Sequence, residues 1–170
     1  MTATIQKILK PTKYRAVDTS TSEQIVGEQL LGDPSFDTNV SAGATGTYWK
    51  CEDSNLSITG GKAVWTGSYG GDDGDRRLVD QITGPLSVLT DRYRIEIVVS
   101  DYTAGEIKFV SGAYNTGFVI NSAKTWTYDF TPETGSGNIN IYASADANLS
   151  VSDITVYKLE SFVKNNHGKL

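Results

Sequence analysis

The residue types that most often carry catalysis are scarce in this chain of 170 residues, which holds one cysteine, Cys51, one histidine, His167, and twenty aspartates and glutamates. A lone cysteine cannot close an internal disulfide, so nothing in the sequence asks for an oxidising compartment. Zinc needs three or four Cys, His or carboxylate ligands, and Cys51 with His167 supplies too few soft ones. A general base needs a rotamer locked by packing, which His167, three residues from the last one, is not expected to have. Twenty acids ensure that some pair falls at glycosidase separation by chance, but a working pair must have its pKa values pushed apart inside a cleft. Only Glu96 and Asp129 stand within apolar runs, and both belong on the wet face of a strand. The chain is read as a non-enzyme.

What remains is binding chemistry. Gly70-Gly-Asp-Asp-Gly-Asp75 is the densest acidic cluster. It lacks the alternating acids and distal glutamate of an EF-hand loop. It reads either as a solvated turn balanced by Arg76 and Arg77, or as a loop that offers Asp72 and Asp73 to sugar hydroxyls. A sugar site needs an exposed aromatic face for a pyranose ring and polar groups beside it. Trp49, Tyr69, Tyr102 and Tyr114 fall at or beside expected loops and are the eligible platforms, whereas Trp65 and Trp126 are expected in the core. Trp49, Tyr69, Asp72 and Asp73 form the candidate glycan-binding set. No glycine-rich phosphate loop leads into a helix, so nucleotide binding has no support.

The elements that must position these residues are strands. Seventeen glycines, nine tyrosines and an apolar fraction of 38% describe a turn-rich β protein. No run approaches the roughly 20 apolar residues of a membrane span, so no membrane partner is expected. Met1–Ala16 carries lysines where a signal peptide needs an apolar run, so export by that route is not expected. That segment holds Lys7, Lys10, Lys13 and Arg15 with no acid, leaving eleven cations against twenty acids in the remainder, a net of −9. Four charges without a reading element give only weak attachment to nucleic acid, and the acidic body repels phosphates. No nucleic-acid partner is expected.

Residues 1–24 read as a polar arm whose apolar groups, Ile5, Ile8, Leu9 and Tyr14, have too little to fold against. Residues 25–160 read as a sandwich of antiparallel strands, and 161–170 as a polar tail. Period-two runs between turn residues predict eleven strands, at Gln24–Leu31, Tyr48–Glu52, Leu56–Thr59, Ala63–Thr66, Arg76–Ile82, Arg92–Ser100, Glu106–Ser111, Gly117–Asn121, Trp126–Phe130, Asn138–Ala143 and Leu149–Leu159. In the last of these the apolar phase switches parity between Val151 and Ile154. A period of two cannot skip, so a β-bulge is expected at Ser152-Asp153.

Four segments carry a resemblance: Leu31-Gly-Asp-Pro-Ser-Phe-Asp37, Asn55–Thr66, Tyr93–Gly105 and Ser152-Asp-Ile-Thr-Val-Tyr-Lys158. Their order resembles that of jelly-roll domains similar to carbohydrate-binding modules, which are common in bacteriophage tail and other virion proteins. The segment Lys10–Ser20 is similar to the leading segments of some marine-phage structural proteins. The resemblance implies an all-β, two-sheet antiparallel jelly-roll sandwich with an extended N-terminal arm. It also implies, in many members, a structural calcium held by one carboxylate in the opening segment and another in the closing one. Asp37 matches the first; Ser152 stands where aspartate is usual and Asp153 where asparagine is usual, so Asp37 and Asp153 are the expected ligands.

The function this implies is that of a phage virion structural protein, in a capsid-decoration, head-fibre or tail-associated place, localised to the virion and assembled in the host cytoplasm. Ile5, Ile8, Leu9, Lys10, Lys13, Tyr14 and Arg15 would dock the arm on other virion proteins by strand addition or groove binding. The virion setting implies a homo-oligomer, with a trimer first among the options. The alternative is a glycan-binding module for a host surface, without a structural role.

Overall fold

The computed structural model describes residues 19–67, 76–81, 86, 90–111, 114–132 and 138–165, with the backbone alone at 19–22, 114–117 and 162–165. They form eleven strands and no helix: β1 Thr19–Val26, β2 Trp49–Cys51, β3 Leu56–Thr59, β4 Lys62–Thr66, β5 Arg77–Asp80, β6 Arg92–Ala104, β7 Ile107–Ser111, β8 Tyr114–Ile120, β9 Thr125–Phe130, β10 Ile139–Ala143 and β11 Asn148–Asn165. The first sheet runs β3-β4-β11-β6-β9 with β1 added to β11, and the second runs β2-β5-β10-β7-β8. Every pairing is antiparallel.

Within these sheets the strands β4 to β11 interleave as 4-11-6-9 and 5-10-7-8, so that consecutive strands cross between sheets at all but one connection. That is the eight-stranded, two-sheet order of a jelly roll, with β3 and β2 each extending one edge. The expected fold class is therefore the observed one.

Local sequence explains the elements. In β6 the apolar side chains Tyr93, Ile95, Ile97 and Val99 are buried and Arg92, Arg94, Glu96 and Val98 face outward, the alternation of a sheet with one wet face. Between Thr59 and Lys62, which pair directly, Gly60 and Gly61 have φ of 57° and 72°. A two-residue hairpin needs two successive positive φ values, which glycine adopts without a Cβ penalty. The core between the sheets is built on Trp49, Trp65, Phe36, Phe109, Ile95 and Ile97, all essentially inaccessible.

Two ends differ from expectation. The first strand is Thr19–Val26, not Gln24–Leu31, and it pairs without interruption from Thr19↔Asn165 to Val26↔Lys158. Residues 19–24 and 161–165, assigned above to the arm and the tail, thus form a two-stranded ribbon. Their Ser and Thr residues carry no apolar alternation, so strand formation there depends on having a partner and left no periodic signal. Gly27, with φ of 80°, ends the ladder, although Leu30 N–H still donates to Val156 O at 2.9 Å. The expected bulge is present: the β11–β6 register shifts between Val151 and Asp153. The remainder of the arm, with its docking residues from Ile5 to Arg15, lies outside the described residues.

Candidate functional site

Strand alternation sends Trp49, Cys51, Leu78, Asp80, Ile139, Ile141, Ile107 and Phe109 of the second sheet inward. The intervening residues make its outer face. Register places them in two rows across the strands. One row runs Lys50, Val79, Asn140 and Val110, and the other Arg77, Tyr142, Lys108 and Val119, with Glu52 following β2 beside Arg77. Val79, Asn140 and Val110 point outward yet are only 8%, 7% and 8% exposed. These three form a little-exposed row, with Lys50 at one end of it and Arg77, Tyr142 and Lys108 in the row alongside.

Among the described residues of β2, β5, β7 and β10, Tyr142 is the one aromatic side chain in the outward phase. The Arg77 guanidinium lies 5.5 Å from its ring centroid and donates through Nη1 to the Tyr142 hydroxyl at 3.0 Å. The guanidinium also engages the Glu52 carboxylate, whose other oxygen takes the Lys50 ammonium. Burial alone would raise the Glu52 carboxyl, but hydrogen bonds from Lys50 and Arg77 and their charges outweigh it and hold the group below its ordinary range. Burial works against the Arg77 charge, and its hydrogen bonds to Tyr142 and Glu52 prevail, so its pKa lies above the ordinary value. Lys108 pairs with Glu106 at 2.8 Å. The arrangement combines an aromatic ring, an amide at Asn140 and fixed charged donors, which are parts that hold and orient a polar ring compound.

The residues proposed from sequence fare differently. Trp49 is not a platform: it is 1% exposed, its ring packs on Phe36 at 5.3 Å, and its indole N–H donates to Asp33 O at 2.7 Å. As the first residue of β2 it takes the inward phase shared with Cys51. Trp126, expected in the core, is half-buried and packs against it, with Phe118 beside it and the Lys124 ammonium 3.9 Å from its ring centroid. Trp65 is in the core as expected. Tyr102 is exposed, with its hydroxyl donating to Gly105 O at 3.0 Å. Tyr69, Asp72 and Asp73 lie outside the described residues, as does the side chain of Tyr114.

Asp37 and Asp153, the expected calcium ligands, stand in the opening and closing segments. The opening and closing segments do meet, since Ile154 N–H donates to Pro34 O at 2.9 Å. Asp37, however, is exposed, while the buried acid of that segment is Asp33, whose two oxygens accept the backbone N–H groups of Asp37 and Thr38 at 2.8 and 3.0 Å. Those bonds hold the turn in which Phe36 takes a φ of 58°. Asp153 is half-buried; burial, and then the Glu96 charge, hold its carboxyl above its ordinary value. No group of three or more His, Cys, Asp or Glu is gathered among the described residues, so carbonyl oxygens would have to complete a calcium site on Asp37 and Asp153. Cys51 is fully buried, and burial pushes its thiol up to about 11, so it offers no thiolate at neutral pH.

Three buried acids escaped the sequence reading: Asp33, Asp53 and Asp80. None stands in an apolar run, so nothing local marks them. Tyr142 escaped for a different reason. Its strand was expected, and the inward phase of Ile139, Ile141 and Ala143 already sends Tyr142 to the wet face, within a strand and not beside a loop.

No family model matches this chain, and no curated protein matches it in sequence. Solved structures that it resembles include a CBM4 module, at 15% identity and a TM-score of 0.47 over 75% of this chain and 99% of that one. Another is the second N-terminal cellulose-binding domain of a β-1,4-glucanase from Cellulomonas fimi, at 17% identity and a TM-score of 0.43 over 76% of this chain and 94% of that one. A third is the CBM22-1 xylan-binding domain of Xyn10C from Paenibacillus barcinonensis, at 16% identity and a TM-score of 0.39 over 79% of this chain and 97% of that one.

Proposed function

We propose that the jelly-roll body is a glycan-binding module that takes its ligand on the outer face of the second sheet. The observation that carries this reading is Tyr142, an outward aromatic residue with its hydroxyl fixed by Arg77 and an amide and two further charged side chains within the same two rows. A pyranose stacks on such a ring through its C–H face while the surrounding donors and acceptors meet its hydroxyls. Titration calorimetry against oligosaccharides tests it. Binding in the micromolar to millimolar range that Tyr142→Ala removes is the expected result; no saccharide bound at millimolar concentration overturns it.

A second reading adds where such a module would be displayed. The segment resemblance to virion jelly-roll domains and the ribbon of β1 with β11 favour attachment to other virion proteins through residues 1–18. Beyond Leu159, β11 leaves β6 and keeps only β1, so the chain reaches residue 19 at the far end of that ribbon. An arm starting there could order on a neighbouring chain while the body stays free. Repetition on a particle, as a trimer or another homo-oligomer, would make weak sugar contacts effective through avidity. Removing Met1–Ala16 should abolish incorporation into particles; unchanged incorporation overturns this part and leaves the sugar site untouched.

A further inference from the structure

We infer that the ligand of the Tyr142 face is an acidic saccharide, one whose pyranose ring carries a carboxylate, held by Lys50 and Arg77. This rests on the glycan reading above and adds the chemical class of the ligand. The described charges of this face are Lys50, Arg77, Lys108, Glu52 and Glu106. Lys108 and Glu106 balance one to one at 2.8 Å. Glu52, by contrast, is a single carboxylate shared by two cations, with the Lys50 ammonium on one oxygen and the Arg77 guanidinium on the other. Among the described side chains of this face, one positive charge is left over, and it lies beside the ring of Tyr142.

That surplus stands out against its surroundings, because the chain after Ala16 has eleven cations and twenty acids. A small positive spot on an acidic body repels few ligands of its own preference and discourages cationic ones; a neutral sugar would leave the surplus unneutralised. Glu52 itself shows how a carboxylate sits here. It meets a planar fork of donors on one side and a mobile ammonium on the other, the arrangement that Arg and Lys ordinarily present to carboxylates. Side-chain exposures of 38% for Lys50 and 34% for Arg77 leave both side chains partly open to solvent. A sugar stacked on Tyr142 would bring its ring substituents to the side where both stand.

The test uses the full chain and matched probes: oligogalacturonate, glucuronate and mannuronate hexamers, each beside its methyl-esterified form, with cellohexaose and xylohexaose as neutral sugars and a sulfated galactan hexamer as a second anion. The expected result is at least one acid bound tenfold or more tighter than its ester, with an affinity that falls as sodium chloride rises while the ester's does not. Arg77→Gln should bring acid and ester to parity, and Lys50→Gln should do so in part if Arg77→Gln does not fold. Arg77→Lys, which keeps the charge and loses the fork, should keep less than half of the preference in free energy. Equal or tighter binding of neutral sugars overturns this inference and leaves the glycan reading standing. Sulfated and carboxylated hexamers bound alike overturn the carboxylate assignment. No binding of any probe removes both.

Discussion

Two acid–guanidinium pairs stand one residue apart in the chain and on opposite sides of one sheet. Asp53 and Arg76 are fully buried, with Arg76 Nε donating to Asp53 Oδ2 at 2.7 Å. Glu52 and Arg77 face outward and keep partial exposure. The inner pair ties loops together. Asp53 Oδ1 accepts Asn55 N–H at 2.9 Å, and Arg76 Nη1 donates to Ser144 O and Ala145 O at 2.7 and 2.9 Å, which fixes the turn between β10 and β11. The outer pair instead leaves donors toward Tyr142 and solvent. Nearly identical chemistry thus ties loops together on one side and stands partly open to solvent on the other, and the two-residue period of the strand is what separates them.

Breaking the inner pair should have the largest effect. Arg76→Met leaves a buried carboxylate without its partner and should cost about 3–5 kcal/mol in urea unfolding. Adding Asp53→Asn to that variant should restore part of the loss; a single variant that loses less than about 1 kcal/mol would show that the pair does not hold the fold. Gly105→Ala probes the turn that Arg76 ties. Gly105 has a φ of 78°, and a Cβ there would stand 2.4 Å from Ala147 Cα. Both the backbone conformation and the backbone clash oppose the change, so a loss of about 2–3 kcal/mol in chemical denaturation is expected.

The outward pairs should respond to pH and ligand more than to unfolding. On the first sheet, two hydrogen bonds from Arg94 at 2.7 and 2.8 Å hold the Asp129 carboxyl below its ordinary value, against its burial. A depressed carboxylate contributes stability above the unfolded pKa of about 3.9, and the contribution fades as pH falls through the folded value. Melting curves of Arg94→Gln should therefore lie below those of the parent at neutral pH, by about 1 kcal/mol, and converge with them in acid. Asp153 has the opposite sign. Its raised carboxyl favours the fold while protonated and loses that advantage as pH rises from the ordinary aspartate range through its folded value. Asp153→Asn should be more stable than the parent at pH 7, by up to about 1 kcal/mol, and equal to it in acid. A destabilised Asp153→Asn that no longer responds to calcium would instead place Asp153 at a metal. The smallest change in stability belongs to Arg77→Gln, at less than about 1 kcal/mol for a solvent-screened pair. Sugar titration is where that variant should differ from the parent.

The body was legible because burial writes itself into a strand as alternation. Tyr93, Ile95, Ile97 and Val99 assign β6 and its inner face without further information, and the parity change before Ile154 places the bulge. The Ser- and Thr-rich stretch Thr19–Glu23 was not legible, because its strand is stabilised by pairing with β11 and not by an apolar face of its own. Asp53 and Arg76 were not legible either. A buried ion pair between residues 23 positions apart has no local pattern, since each partner is buried only because the other neutralises it. Trp49 shows the limit for aromatics: position beside a loop says little about exposure when the strand that follows sets the phase.

Sequence alone determined the alternation, the turn positions and the partition of charge between a basic leading segment and an acidic remainder, because each depends on residues near one another in the chain. Tertiary structure decided which residues share a surface. Val79, Asn140 and Val110 became one row, and Arg77, Tyr142 and Glu52 one cluster, only when β2, β5, β10 and β7 paired in a particular register. Register is a long-range property, set by how two sheets bury their inner faces together, and the outer face of a sheet receives its chemistry as a consequence.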